Sequence, residues 1–509
     1  MRDMEVPEDP MTERVTRALS WKAGGQVLSQ ISSMVVLVVL AHKLTPADYG
    51  LAGMVLVFST LVYIFADLAL GSALIQRESP DQTDRSTVFW VSAASGTVCT
   101  LLVIGLAVPI SEFFREPSIV PLLRAFSVTF LLTSLGTVPY ALLARDLDFR
   151  ALELRSIAAS LTGAAIAVGL AFAGAGAWAI IAQQISTALI GTALMWVLAA
   201  WRPSLRVARS AIREMGGFGA NVFGTRLLFY VERNIDNVLV GRVLGPAALG
   251  VYALSYNLML IPLERIGGPM AEVLFPAFSR MNQDLERLGS AWLRAVRMLA
   301  AVVVPMMLLL MVLAPDIVHV VLGPQWGAAV PVVTILAWVG LHQSLQRFNS
   351  SVLQAADRTG PLLRFSMVSA CVNITAFATG LIWGVTGVAA AYAISSTLVA
   401  PLYLRLTARA VEMPMRTFFA NLRGVVSAAV PTAAAAGLLR WWISGWVDTP
   451  LVRLVVILPL AGLLYVALIR LTDRGLVADV EDVVPDRIKL RLRRLLPGWL
   501  ARRTGIEVP

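Results

Sequence analysis

The residues best placed to do chemistry share one side of an apolar segment near the middle of the chain. Arg226, Tyr230, Arg233 and Asn237 follow one another at i, i+4, i+7 and i+11, a spacing that aligns them on one face of a helix. A guanidinium is a planar fork of N–H donors that matches the oxygens of a phosphate or a carboxylate. Arg226 and Arg233 therefore predict an anionic, phosphate-bearing ligand, or carboxylate partners within the protein.

Carboxylates are present on the neighbouring face of the same segment. Glu232 and Asp236 lie one turn apart and are able to pair with the two arginines. Ionisable groups at membrane depth are expensive, so a functional site is the default interpretation. Ion pairs that only hold the helices together are the alternative, and the sequence leaves both open.

Further polar groups recur at helical spacing on other apolar segments and predict the wall of a water-filled cavity. So wide a polar face is not expected to look at lipid, although polar contacts between helices are the alternative. The predicted cavity-lining residues are Gln26, Ser33, Asp236, Asn257, Glu264, Gln343, Gln346 and Arg347.

Composition identifies the elements that must position these groups. The chain has 509 residues, of which 57% are hydrophobic and 15% charged, too much apolar surface for an ordinary soluble core. An all-α, polytopic membrane helix bundle is predicted. Lys and Arg exceed Asp and Glu by 42 to 32, but they lie mainly between apolar runs, a pattern of membrane topology rather than nucleic-acid binding. Cys99 and Cys371 lie inside apolar segments with no second metal-ligand type nearby, so no metal site and no cofactor are predicted.

About fourteen transmembrane helices are expected from the apolar runs. Their approximate ranges are 18–42, 49–74, 87–110, 118–143, 152–173, 177–201, 214–241, 248–275, 292–313, 329–353, 362–383, 387–409, 424–443 and 451–471. Arginines concentrate in alternate connections, which predicts that both termini are cytoplasmic. Every connection is short, so no catalytic domain outside the membrane is expected and the chain is predicted not to be an enzyme.

An internal repeat divides the chain into lobes. Leu44-Thr45-Pro46-Ala47-Asp48-Tyr49-Gly50 matches Leu244-Gly245-Pro246-Ala247-Ala248-Leu249-Gly250 at an offset of 200 residues. At that offset Gln26 corresponds to Arg226 and Ser33 to Arg233, so one lobe offers neutral polar groups and the other cations. Two six-helix lobes in parallel repeat suit a transporter that rocks around a central site.

The predicted organisation has six parts. They are a cytoplasmic N-terminal segment (1–17), an N-lobe (18–201), a basic cytoplasmic linker (202–213), a C-lobe (214–411), two further helices (424–471) and a basic cytoplasmic tail (472–509). Within the tail, Asp486 to Leu500 has an apolar and a basic face, which predicts an amphipathic helix on the anionic inner leaflet. A solvated basic tail is the alternative.

Five segments resemble the polysaccharide transporter family of the multidrug, oligosaccharidyl-lipid and polysaccharide exporter superfamily. The most specific is the run from Arg233 to Arg242, Arg-Asn-Ile-Asp-Asn-Val-Leu-Val-Gly-Arg. The others are the two Leu-x-Pro-x-x-x-Gly turns, Phe65 to Gly71 with Ala73 to Gln76, and Leu322-Gly323-Pro324-Gln325-Trp326. The resemblance covers roughly residues 15 to 420.

The resemblance implies a flippase that moves undecaprenyl-diphosphate-linked oligosaccharide across the bacterial cytoplasmic (inner) membrane, for lipopolysaccharide, capsule or exopolysaccharide synthesis. Its partners would be the lipid-linked oligosaccharide, membrane lipids, and the polymerase and export machinery of the same pathway, with no nucleic acid. Arg226 and Arg233 would then hold the diphosphate. A cation-coupled drug antiporter using Asp67, Asp236 or Glu264, and a membrane polymerase or glycosyltransferase, are the competing hypotheses.

Overall fold

The computed structural model describes residues 32–67, 71, 74–75, 77, 80–146, 148–206, 209–473 and 475–476, with the backbone alone at 59–67, 209–229 and 231–233. These residues form helices and no strand, which confirms the all-α prediction. In chain order the helices are α1 (Ser32–Lys43), α2 (Pro46–Asp67), α3 (Gln82–Phe114), α4 (Ile119–Arg145), α5 (Phe149–Phe172), α6 (Trp178–Leu198), α7 (Arg209–Ser279), α8 (Leu285–Val312), α9 (Ala314–Val321), α10 (Ala329–Gln346), α11 (Asn349–Ala355), α12 (Thr359–Gly380), α13 (Gly384–Ala410), α14 (Met415–Ser444) and α15 (Pro450–Thr472).

Several helices begin where the sequence supplies an acidic cap for their unpaired amide groups. At the start of α3, Asp81 Oδ1 accepts from the Asp84 amide at 2.6 Å and Asp84 Oδ2 accepts from the Asp81 amide at 3.2 Å, a reciprocal capping box. Asp148 caps α5 through the Ala151 amide at 3.0 Å. These caps set where each helix enters the apolar layer.

Within the described residues, ten helical stretches are long and apolar enough to cross a membrane, so the chain is a multi-pass membrane protein. Two of the ten, Asn234–Ser279 and Thr359–Ala410, have 46 and 52 residues, whereas one crossing needs about 20. Positive φ angles at Gly245 and Gly384 (84° and 71°) interrupt them, at the boundaries predicted between adjacent spans. The total of about fourteen stays a prediction, since residues 18–31 of the first span lie outside the described part, as do the N-terminal segment and the tail from residue 477.

The described chain forms two compact units. The first comprises the chain up to Tyr256 together with Val318–Val332 and Val372–Tyr392. The second comprises Asn257–Ile317, Val333–Cys371 and the chain from Ala393. The N-lobe and C-lobe defined from the repeat are a separate division, which stays a prediction.

Inside the first unit, α2 and α7 cross with their backbones in direct contact. A Cβ on Gly50 would run into the carbonyl oxygen of Pro246, and a Cβ on Gly250 would run into the carbonyl oxygen of Pro46. The contact is therefore reciprocal, and it joins the two turns that the sequence paired at an offset of 200 residues. Only glycine permits so close an approach of two helices.

The segment around Trp326 fastens this crossing from one side. Trp326 is fully buried, and its indole Nε1 donates to the Ala41 carbonyl at 2.8 Å, while Gln325 Nε2 donates to the same oxygen at 2.6 Å. Ala41 lies in the last turn of α1, where carbonyl groups lack intrahelical donors. The Trp326 ring also meets the Tyr49 ring edge-on at 5.3 Å. Three segments that resemble the transporter family thus converge on one place.

Replacing Gly50 or Gly250 by alanine tests the crossing. Each Cβ would overlap a backbone carbonyl that has no room to move, so Gly50→Ala and Gly250→Ala should each lower stability by at least about 3 kcal/mol, the upper range for overpacking. The measurement is the amount of monodisperse protein recovered after mild heating in detergent.

Gly53→Ala is the matched control, because a Cβ at Gly53 would meet the Leu249 side chain at 3.5 Å, an ordinary contact. Recovery of Gly50→Ala equal to that of Gly53→Ala would show that the backbones do not cross as described.

In the second unit, buried charges fasten α14 and α15 to α9. Asp316 of α9 is only 2% exposed. Its carboxylate accepts from Arg440 Nε of α14 and lies 3.2 Å from Arg453 Nη1 of α15. A buried carboxylate with two guanidiniums is compensated where a lone one would be strongly unfavourable.

Polar contacts between α15 and α8 continue to the other end of α15. Tyr465 donates to the Ala301 carbonyl at 2.6 Å, and Asp473 Oδ1 lies 3.5 Å from Arg297 Nη1. Arg453 and Asp473 are 20 residues apart, about 30 Å along a helix, close to the hydrocarbon thickness of a membrane. The last long helix is therefore attached to its neighbours along its whole length.

Removing the carboxylate of Asp316 should destabilise the protein, because Asp316→Asn leaves two guanidiniums without their counter-ion. A loss of about 3 kcal/mol is expected for breaking a buried pair from one side. Thermal unfolding of purified protein, followed by tryptophan fluorescence, measures it. Asp448→Asn is the control, since that side chain is exposed in the connection between α14 and α15; equal midpoints for the two variants would contradict the assignment.

Candidate functional site

The two arginines predicted to hold an anion lie on α7, before its interruption at Gly245. The backbone at Arg226 and Arg233 is helical, as the spacing of the polar stripe predicts. Their side chains lie outside the described part of the structure, as does the whole of Gln26. The assignment of these three residues to a binding site therefore stays a prediction.

Asp236 follows on the same helix and is described in full. It is 5% exposed, and its Oδ2 accepts from the hydroxyl of the fully buried Tyr252 at 3.0 Å. Its Oδ1 accepts from the backbone amide of Asn237 at 2.7 Å. Because Tyr252 lies beyond Gly245, this hydrogen bond ties the two parts of α7 together across the interruption.

The next residue, Asn237, has a side-chain oxygen of its own. This Oδ1 is buried and has no hydrogen-bond partner among the described residues. A buried carboxylate that is hydrogen-bonded to a phenol is a group able to accept a proton. No cluster of three or more His, Cys, Asp or Glu side chains suited to a transition metal occurs in the described part of the chain.

Two other predicted cavity residues are brought together in the second unit. Arg347, which follows α10, meets Glu264 of α7 with Nη2 to Oε2 at 3.0 Å and Nη1 to Oε1 at 3.4 Å. Gly267 and Gly268, one turn after Glu264, leave room for the arginine: a Cβ at Gly267 would lie 3.4 Å from Arg347 Cγ. About one-third of each side chain is exposed. The two charges therefore neutralise each other, and both side chains remain partly accessible.

Of the remaining predicted cavity residues, two are half-buried and two are exposed. Gln346 donates to the carbonyl of His342 on its own helix at 3.2 Å, and Gln343 is half-buried. Asn257 and Ser33 are exposed. The structure therefore joins Glu264 to Arg347 and Asp236 to Tyr252. A common cavity for these groups stays a prediction.

Sequence reasoning missed a cavity of about 500 Å³ inside the first unit, between α4, α5 and α6. Arg155, Gln184, Thr133 and Thr137 contribute to its wall. None of these four residues is among the predicted cavity-lining residues. A signal for the cavity is present in the sequence: Thr129, Thr133 and Thr137 recur every four residues and share one face of α4.

Comparison with known proteins identifies the family of this chain. The sequence profile of the polysaccharide biosynthesis protein family matches residues 39–331, more than half of the chain. The chain belongs to the polysaccharide biosynthesis protein family. This confirms the resemblance drawn from the Arg233 to Arg242 run and the Leu-x-Pro-x-x-x-Gly turns, all of which fall inside the matched range.

Among curated members, the chain is 28% identical over 356 residues to the teichuronic acid biosynthesis protein TuaB of Bacillus subtilis, covering 68% of this chain and 72% of TuaB. It is 25% identical over 476 residues to the succinoglycan biosynthesis transport protein ExoT of Rhizobium meliloti, covering 93% of this chain and 96% of ExoT. The alignment with ExoT thus extends well beyond the matched family range, to nearly the whole chain.

The fold is similar to that of the lipid II flippase MurJ in an inward closed conformation. The TM-score is 0.71 at 13% sequence identity, and the match covers 89% of this chain and 99% of MurJ. At that identity the likeness concerns the fold alone. It agrees with the multi-pass helical architecture of this member of the polysaccharide biosynthesis family.

A double-mutant cycle tests the ion pair between Glu264 and Arg347. Each single variant, Glu264→Gln or Arg347→Gln, leaves one charge at membrane depth without its partner, whereas the double variant leaves none. We expect a coupling of about 1 kcal/mol, since the pair is partly exposed. Thermal unfolding of the four purified proteins measures it.

Glu272→Gln is the control for this cycle, because Glu272 is exposed about two turns further along α7. Combined with Arg347→Gln it should be additive within about 0.3 kcal/mol. Additivity of Glu264→Gln with Arg347→Gln would argue against a direct pair.

Proposed function

We propose that this protein is a flippase that moves an oligosaccharide linked to undecaprenyl diphosphate from the cytoplasmic to the periplasmic leaflet of the bacterial inner membrane. The observation that carries the proposal is the family match over residues 39–331 on a chain with at least ten membrane-spanning helical stretches. A multi-pass member of a polysaccharide biosynthesis family, with a relative named as a transport protein, fits translocation of the glycan. The product would serve lipopolysaccharide, capsule or exopolysaccharide synthesis.

The proposed mechanism is alternating access between an N-lobe (18–201) and a C-lobe (214–411). The reciprocal crossing at Gly50 and Gly250 supports it, because the turns that the repeat makes equivalent touch each other there. Parallel repeats of this kind allow two lobes to rock around a central site. Both termini are then cytoplasmic. The polymerase and export machinery of the pathway are the partners on the periplasmic side.

In this mechanism Arg226 and Arg233 hold the diphosphate, since two guanidiniums on one helix face match its oxygens. Gln26, Asn257, Gln343 and Gln346 contact the sugars or the cavity water. Arg347 contributes little net charge, because Glu264 lies within 3.0 Å of it.

The membrane potential favours outward movement of the anionic substrate. An inside-negative potential contributes about 2.3 kcal/mol per charge per 100 mV. Any arginine that moves with the diphosphate cancels part of this gain, so the coupling depends on whether the positive charges stay fixed.

Neutralising both arginines should abolish export. In a deletion strain, the Arg226→Gln/Arg233→Gln double variant should accumulate lipid-linked oligosaccharide in the cytoplasmic leaflet and lose surface polysaccharide, because nothing compensates the diphosphate at membrane depth. Access of an external glycan-labelling reagent to the lipid-linked intermediate measures its leaflet.

Arg280→Gln, at an exposed position just after α7, is the matched control and should restore export. Normal export by the double arginine variant, present in the membrane at wild-type amount, would remove these two residues from the site. If the deletion strain itself presents the intermediate outside, flipping is not the activity, and a polymerase or glycosyltransferase of the same pathway takes its place.

A cation-coupled exporter is the second candidate, and the oxygens around Asp236 favour it. A buried carboxylate hydrogen-bonded to Tyr252, with an unpaired Oδ1 on the next residue, Asn237, suits a transported proton or metal cation. Sensitivity of the deletion strain to cationic drugs, with surface polysaccharide unchanged, would select this candidate over the flippase.

A further inference from the structure

A cluster of charged and aromatic side chains surrounds the connection between α14 and α15 in the second unit. Asp316 of α9 accepts from Arg440 Nε and lies 3.2 Å from Arg453 Nη1. Two guanidiniums therefore share one carboxylate, and one positive charge is left over. Arg440 lies about one turn before the end of α14, and Arg453 lies in the first turn of α15. The surplus charge is therefore close to the ends of two membrane-spanning helices.

The accessible part of this cluster is the Arg440 guanidinium. Within the described part of the chain its only hydrogen bond is the one from Nε, and 28% of the side chain is exposed. Its two Nη groups are therefore available as donors to a ligand. Arg453 is more buried, at 14% exposed, and its Nη2 already donates to the Asp448 backbone carbonyl at 3.2 Å. The surplus positive charge is therefore presented at Arg440.

Three exposed tryptophans lie next to Arg440 in the chain. Trp441, Trp442 and Trp446 are 76%, 62% and 81% exposed, and their indole N–H groups have no hydrogen-bond partner among the described residues. An indole combines an apolar ring with one N–H donor, and for that reason tryptophan is enriched at the level of the lipid head groups. The three rings therefore place this connection at the membrane interface.

Helix packing alone does not account for the second arginine. A single guanidinium would neutralise Asp316, whereas a further one leaves a charge that is unfavourable at the edge of the hydrocarbon. The predicted topology puts this connection on the periplasmic side, where Lys and Arg are few. Asp448, in the connection itself, is exposed and forms no ion pair among the described residues. An anion from outside the protein is therefore the expected counter-ion.

We propose that Arg440 and the three neighbouring tryptophans bind the head group of an anionic phospholipid in the outer leaflet. The Nη groups of Arg440 hold the phosphate, whose oxygens they match, and the indole N–H groups donate to the phosphate and ester oxygens. Leu438 of α14 and Val455 of α15 are exposed and offer apolar surface to the acyl chains. A lipid at this position requires only a membrane-spanning chain, so it is independent of the proposed flippase function.

Native mass spectrometry of the delipidated full chain in detergent measures the binding. The protein is titrated with palmitoyl-oleoyl phosphatidylglycerol or with phosphatidylcholine of the same acyl chains. One uncompensated positive charge near the membrane surface should favour the anionic lipid about fivefold. Arg440→Gln should abolish this preference, and Arg440→Lys, which keeps the charge, should restore it. Asp448→Asn removes a nearby exposed carboxylate and should not reduce the preference.

Replacing the tryptophans tests the hydrogen bonds separately from the charge. The Trp441→Phe/Trp442→Phe/Trp446→Phe variant keeps three aromatic rings and removes three donors, so both lipids should bind at least about threefold more weakly while the preference for phosphatidylglycerol stays. These changes leave the buried charges untouched, so they test the site even where Arg440→Gln folds poorly. Trp383→Phe is the matched control, because Trp383 is exposed between α12 and α13 with no Lys or Arg within ten residues.

Three results would overturn the lipid site. They are equal affinity of the wild type for the two lipids, a preference that survives in Arg440→Gln, and a loss in Trp383→Phe as large as in the triple variant, which would make the tryptophans a general aromatic belt. Displacement of bound phosphatidylglycerol by glycerol 3-phosphate would show that the occupant is a soluble phosphate and not a lipid. Export in the deletion strain decides the flippase proposal separately in each case.

Discussion

The rest of the first unit depends on the contact of two helix backbones at Gly50 and Gly250. Each glycine faces the carbonyl of the proline in the opposite turn. No side chain fits between the two helices at this point, so the crossing point is fixed by direct contact between their backbones. Trp326 and Gln325 then donate hydrogen bonds to the Ala41 carbonyl, which lies in the last turn of α1. In lipid, van der Waals packing and hydrogen bonds between helices, rather than the hydrophobic effect, must stabilise helix contacts. Here the glycines allow close packing, and the buried indole of Trp326 supplies a hydrogen bond.

Three acidic side chains within the described helices each have a specific partner. Asp316 takes two arginines from the last two long helices, Glu264 takes Arg347, and Asp236 takes a tyrosine hydroxyl. The first two are cationic partners that neutralise the charge. Asp236 is different, because its partner is a phenol hydroxyl, which carries no positive charge.

Features that depend on residues close together in the chain could be predicted from the sequence, whereas contacts between different helices could not. The polar stripe on the segment from 214 to 241 correctly predicted a helix, and the spacing of Gly and Pro correctly marked the break at Gly245. Glu264 and Arg347 were both selected as polar groups at depth. Their pairing was not foreseen, because helical spacing orders residues within one helix and carries no information about which helix packs beside it. The cavity was missed for the same reason, since Thr137, Arg155 and Thr187 come from three different helices.

By itself the sequence determined that this is an all-α, multi-pass membrane protein of a polysaccharide biosynthesis family, with matching turns 200 residues apart. Hydrophobic run length, helical periodicity and motif spacing are properties of the chain, so they survive without coordinates. Only the tertiary structure decided that the two matching turns touch, that Asp316 joins the last two long helices to α9, and that a polar cavity lies between α4, α5 and α6. Each of these is a contact between distant residues, and backbone approach and side-chain direction, which set such contacts, are fixed only when the helices pack.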